Sequence, residues 1–238
     1  WLIAVVTIAF GAPAFAQSGG IVSEFAGGDL SGRIVQLVVL VSVLSVAPGL
    51  LVMVTSFTRF AIALSFLRSG LGLQNTPGNM VLVSLSLFLT LFVMGPTFEK
   101  SWSDGVRPML EKKISEEEAA LRIVAPFREF MIANVREADL RVLRDLQQRK
   151  LQQFSTDTPP LTLLIPAFMM SELRRGFEIG FLIALPFLVI DLIVATIVMS
   201  MGMMMLPPSA IGLPVKVLFF VLIDGWSLLI SGLVRSFT

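Results

Sequence analysis

Two opposite charges stand where charge is costly. Asp191 lies midway along the apolar run Phe177–Leu206, and Lys216 lies near the start of Val215–Val234. A carboxylate at the centre of a membrane helix costs about 2.5–3.5 kcal/mol on insertion scales, so it is held by a partner or used for function. Two chemistries follow: a paired structural charge, or a proton- or ion-translocating site built on Asp191. Lys216 is the obvious partner within the chain, and reach is the difficulty. With helix unbroken to Leu206, Asp191 would lie roughly 22 Å from the turn and Lys216 about 3 Å past it. Either the helix ends near Gly202, or Asp191 is answered by another chain or by a wet cavity.

The second chemical signal is Met199-Ser200-Met201-Gly202-Met203-Met204-Met205-Leu206-Pro207-Pro208, which packs five of the chain's 12 methionines into seven residues. Methionine is unbranched and polarizable, so it fills irregular gaps and reshapes around varied partners. Arranged around a pore, such side chains would seal it and still yield to a passing chain; the simpler alternative is core filling. Gly202 and the Pro207-Pro208 stop place the cluster at a helix end, where it is exposed.

Much else is excluded. The chain has no Cys, no His and no Tyr. Disulfides, thiolate or imidazole metal sites and imidazole-dependent triads are therefore ruled out. There is no Walker A loop, no G-x-G-x-x-G and no pair of carboxylates at acid–base spacing. No catalytic residue, metal or cofactor is expected, and the chain is not read as an enzyme. A net charge of +1 argues against a nucleic-acid partner. Arg174-Arg175 beside Glu172 and Glu178 reads as an interfacial charge cluster, and Gly176 with Gly180 forms a G-x-x-x-G that permits close helix approach.

The elements that must position these residues are membrane helices. Of the 238 residues, 55% are apolar and 15% charged, and the mean hydropathy is +0.86. A soluble domain is roughly 45–50% apolar and about 25% charged. Residues 99–160 hold 22 of the 35 charges, eleven of each sign. The order is thus greasy, polar, greasy. Residues 1–16 read as a signal peptide cleaved after Ala16. The missing basic n-region and Trp1 imply numbering that begins inside a precursor. Residues 17–98 read as a linker followed by membrane helices, 99–160 as a polar extracytoplasmic helical insert, and 161–238 as the C-terminal membrane helices.

Four stretches are long enough to cross a bilayer: Ile34–Val54, Met80–Phe98, Phe177–Leu206 and Val215–Val234. An outside N-terminus and four spans put the insert outside and Thr55–Asn79, with Arg59 and Arg68, in the cytoplasm. Ala61–Leu67 and Leu161–Met170 are too short to cross and read as packed or re-entrant helices. Prolines and glycines interrupt most runs, and a broken backbone at membrane depth must be covered by protein or a wet cavity. In the insert, Ser115-Glu116-Glu117-Glu118 is a capping box. Pro126 is expected to open a further helix carrying the stripe Phe127, Met131, Val135, Ala138, Val142 and Leu146. That stripe suits either a docking helix or packing on its own chain. Glu137 with Arg141 and Asp145 with Arg149 are spaced for i,i+4 pairing.

Longer strings carry a resemblance. Thr55-Ser56-Phe57-Thr58-Arg59-Phe60 leads through Ser65-Phe66-Leu67-Arg68 and Leu71-Gly72 to Gln74-Asn75-Thr76-Pro77. Phe168-Met169-Met170-Ser171-Glu172-Leu173 precedes Phe177-Glu178-Ile179-Gly180. Gly202-Met203-Met204-Met205, Pro207-Pro208, Leu213-Pro214-Val215-Lys216 and Asp224-Gly225-Trp226 follow. Together these resemble the FliP family of the flagellar type III export gate, over essentially all of the chain after the signal-like segment.

The resemblance implies an all-helical, non-enzymatic channel subunit at the flagellar basal body in the bacterial inner membrane. It would pass unfolded flagellar substrates and lie in contact with membrane lipid. It implies a homo-oligomer, a pentamer by family precedent, gathered with FliQ and FliR and near FlhB and FlhA. Its helices would pack in a conical ring lifted largely out of the bilayer, in competition with four simple spans. A methionine gasket maps onto Met203, Met204 and Met205, charged membrane positions onto Asp191 and Lys216, and a first-loop arginine onto Arg59. Glu178, Gly202, Pro207 and Pro208 are further candidates. The connection after Glu99 departs from the pattern, so no insert residue is carried over. The competing reading is a small secondary transporter or ion channel with Asp191 as its site; no convincing internal repeat supports it.

Overall fold

The computed structural model describes residues 51–73, 76–147, 159–202 and 207–237, with isolated helical positions at 37, 38, 41, 42, 45 and 49. The signal-like segment 1–16, most of Ile34–Val54, Arg149, and Met203, Met204 and Met205 lie outside the described residues. Among the described residues every regular element is helical. In chain order they are α1 (Phe57–Gly70), α2 (Asn79–Ser101), a π-helical turn (Trp102–Val106), α3 (Arg107–Leu110), α4 (Glu116–Asn134), α5 (Glu137–Gln147), α6 (Leu161–Ser200), α7 (Pro208–Leu222) and α8 (Gly225–Arg235).

The chain forms two compact units. One takes the described part of Trp1–Thr55 with Met94–Phe168; the other takes Ser56–Val93 with Met169–Thr238.

In the first unit, Ser115 Oγ accepts a hydrogen bond from the Glu118 amide at 3.3 Å and so starts α4. Glu118 itself turns to Arg122, at 2.6 Å, in an i,i+4 ion pair. Glu137 and Arg141 pair in the same way at 2.5 Å on α5. Pro126 does not open a helix; it lies inside α4, which continues to Asn134. A proline in a helix interior costs about 3 kcal/mol or more. Ala119, Ile123, Phe127 and Met131, four residues apart, form one buried face, and its packing holds the helix through the break. At its end Asn134 Nδ2 donates to the Phe130 carbonyl at 3.0 Å, and Val135 turns extended. The expected stripe is therefore divided between two helices: Phe127 and Met131 are buried, whereas Val142 and Leu146 on α5 are exposed. Met131, Leu164 and Phe168 make a small core, with the Phe130 ring edge-on to Phe168 at 5.9 Å.

In the second unit, Phe60, Leu64, Leu67, Phe187, Phe220 and Leu233 are the heart of a larger core. Polar groups on α2 are satisfied locally, as an apolar setting demands. The buried Ser86 and Thr90 hydroxyls donate to the Leu82 and Ser86 carbonyls, each at 2.7 Å.

Among the described residues two helical stretches are long and apolar enough to cross a membrane: Asn79–Leu110, 32 residues, and Leu161–Ser200, 40 residues. Within their most apolar stretches only 28% and 17% of the residues are buried by the rest of the chain. Leu161–Met170 is thus the first quarter of α6 and not a separate short helix. Pro166 and Pro186 do not interrupt it, because a helix in an apolar medium must keep its remaining backbone bonds internal. Val215–Val234 is not one straight span. α7 and α8 meet at a 66° bend, where Asp224 takes a left-handed conformation (φ 50°, ψ 50°). A short polar side chain is among the few that tolerate that geometry.

Candidate functional site

α1 lies against α6 with both helices running in the same direction. A Cβ on Gly176 would come within 3.1 Å of Ile62, and one on Gly180 within 2.6 Å of the Phe66 ring. Gly70 lies against Ala184 and Phe187. Contacts therefore climb in register, 62 with 176, 66 with 180, 70 with 184. The G-x-x-x-G lets the backbone of α6 come close to α1.

Each end of this seam holds a charge. At its start, Arg59 and Glu172 are fully buried and face each other as fork to fork. Arg59 Nε donates to Glu172 Oε2 at 2.9 Å, and Nη2 donates to Glu172 Oε1. Nη1 reaches the C-terminal segment, donating to the Ser236 carbonyl at 2.8 Å and to Ser236 Oγ at 2.9 Å. The guanidinium carbon sits 3.5 Å from the Phe237 ring centroid, a cation–π contact. Burial draws the Arg59 guanidinium below its ordinary pKa, and the hydrogen bond and charge of Glu172 oppose the shift. Bidentate pairing of this kind suits arginine in a way lysine cannot copy.

At the far end, Lys216 Nζ lies 2.5 Å from Asp191 Oδ2 and donates to the Gly70 carbonyl at 3.0 Å. The reach problem posed by the sequence is resolved by where the helices end. α6 stops at Ser200, nine residues past Asp191, and α7 starts at Pro208, eight residues before Lys216. At 1.5 Å per residue the two stand about 13 Å and about 12 Å from their helix ends, at nearly the same depth. The side chain of Lys216 is 7% exposed and that of Asp191 45%, so the acid faces outward and the base inward.

Gly202 takes φ +74° just past the end of α6, a left-handed C-terminal stop that glycine adopts without strain. Pro207 is extended, and Pro208 is the first residue of α7, where a missing N–H costs nothing. Glu178 is exposed on α6 and is not a partner of Arg59. The sequence assigns Glu172 to an interfacial charge cluster with Arg174-Arg175 and Glu178, and gives no sign of Ser236, Phe237 or the Gly70 carbonyl. One signal was available: Glu172, Gly176 and Gly180 are spaced by four, so the acid shares the face on which the glycines invite a neighbour. Among the described residues no group of three or more acids is placed to hold a metal ion.

These features define a class: an all-helical protein with membrane-length helices, a close helix seam, and ionic contacts at each end of it. The chain belongs to the FliP family, whose model matches residues 40–233. It is 59% identical to the flagellar biosynthetic protein FliP of Agrobacterium fabrum (strain C58) over 211 residues, 88% of this chain and 86% of that protein. It is 60% identical to the protein of the same name from Rhizobium meliloti, with the same coverage. It is 47% identical to that of Bacillus subtilis (strain 168), over 85% of this chain and 91% of that protein.

Proposed function

We propose that this chain is a channel-forming subunit of the flagellar type III export gate, passing unfolded flagellar substrates across the inner membrane. The family membership supports a place in flagellar biosynthesis. The observation that carries the channel reading is the surface of α6: Phe181, Leu182, Leu188, Leu192 and Ile197 are each more than half exposed. So much apolar surface on so long a helix must be covered by lipid or by other subunits. A helical ring of identical chains, joined by FliQ and FliR and served by FlhB and FlhA, supplies that cover. The ring sits at the basal body, with the N-terminus and the insert outside the cytoplasm.

In this reading Met203, Met204 and Met205 close the conduit as a deformable seal between Gly202 and Pro207. The two ionic contacts, Arg59 with Glu172 and Asp191 with Lys216, hold the helices that carry the seal. No step of catalysis is assigned to any residue. Changing Met203, Met204 and Met205 together to Ala tests the seal. The assembled complex is expected to form with wild-type mass and to leak ions across a planar bilayer or vesicle membrane. A triple variant that assembles and stays as tight as wild type would remove the gasket.

A further inference from the structure

In the unit built from Ser56–Val93 and Met169–Thr238, a cleft of about 150 Å³ opens beside the C-terminal turn of α1. Its walls are apolar, with Leu64, Leu71, Leu82 and Phe220 among them. Two of its lining residues differ in kind. Arg68 is half-buried, and the indole of Trp226 is 41% exposed. Arg68 Nη1 donates to the side-chain oxygen of Asn79, a neutral acceptor. Among the described residues no carboxylate pairs with Arg68. The nearby Lys216 is differently placed, since its charge is answered by Asp191 and by the Gly70 carbonyl. The larger apolar cleft, about 280 Å³, has no ionisable residue in its lining and offers nothing to hold a headgroup.

The geometry points to a binding site for an anionic phospholipid, with part of an acyl chain in the cleft and its phosphate on Arg68. A guanidinium carries five N–H donors, and among the described residues only Asn79 engages one of them, which leaves a fork to meet phosphate oxygens. The cleft offers the chain an apolar surface to bury. An indole half in and half out of water is the side chain that settles at a membrane–water boundary. Among the described residues no acid lines the cleft, so the ammonium of a zwitterionic headgroup finds no counter-charge there and a net-negative headgroup is preferred.

The test uses the purified full chain in its assembled complex, in mild detergent, titrated with phosphatidylglycerol or with phosphatidylcholine and read by native mass spectrometry. Wild type is expected to retain phosphatidylglycerol at lower added lipid than phosphatidylcholine. Arg68→Gln should weaken phosphatidylglycerol retention by about tenfold, the loss of one charge-assisted phosphate contact, and so narrow the preference over phosphatidylcholine. Val217→Trp, which fills the cleft from an exposed position of α7, should weaken retention of both lipids. Equal retention of the two lipids by wild type and Arg68→Gln would overturn the site. So would a Val217→Trp variant that keeps its lipid and loses assembly, because the cleft would then belong to a second copy of the chain.

Discussion

Four hydrogen bonds leave the Arg59 guanidinium, two to Glu172 and two to Ser236, and an aromatic ring lies beside it. Glu172→Gln keeps the shape of this cluster and strips its counter-charge, so a cation stays buried without an anion. Breaking a buried pair in this way costs about 3–5 kcal/mol. Asp191→Asn should cost less, about 1–2 kcal/mol, because the Lys216 ammonium keeps the Gly70 carbonyl as an acceptor when the carboxylate is gone. Thermal unfolding of the two variants in one detergent checks the order; equal losses would mean the fully buried pair is no more important than the half-exposed one. Asp191 and Lys216 could be singled out from the sequence because each is a lone charge in grease. Glu172 could not be singled out so readily: it stands 113 positions from Arg59 and next to arginines that suggest a different partner.

At the level of helices, the seam depends on two residues without side chains. Gly180→Leu drives atoms into the Phe66 ring, and overpacking of this kind costs about 1–3 kcal/mol. Adding Phe66→Ala to that variant should return part of the loss, since the two positions share one space, and a double-mutant cycle on unfolding free energies reads the coupling. Strictly additive losses would place the two residues out of contact. Helix boundaries were the least legible feature of the sequence. Pro126 and the prolines of α6 read as punctuation, yet packing on one face of α4 and the internal bonding of a long apolar helix carry the backbone past them. The stop at Ser200 was legible as one of two options, because Gly202 is the residue type that ends helices and Pro208 one that begins them.

For the whole molecule, composition identified a membrane protein, and two helices of spanning length agree with that. The number of crossings was not legible, since a run of apolar residues does not reveal a 66° bend at Asp224. The insert's charge could be seen at once, because 22 of 35 charged residues fall in 62 positions. So little of α6 is covered by its own chain that a solitary copy leaves that surface to lipid, whereas the proposed ring covers it with sister chains. Extraction in mild detergent should therefore yield a defined oligomer, and light scattering or intact-mass measurement of the complex reads its size. A stable, active monomer would show that lipid alone covers these faces.

Lys216 has a mechanical consequence. Its ammonium is rooted on α7 and touches the last carbonyl of α1 and a carboxylate of α6 together. It works as a three-legged joint. No one of the three helices can pivot at that level without tearing a contact to at least one other, so motion there must be shared or not occur.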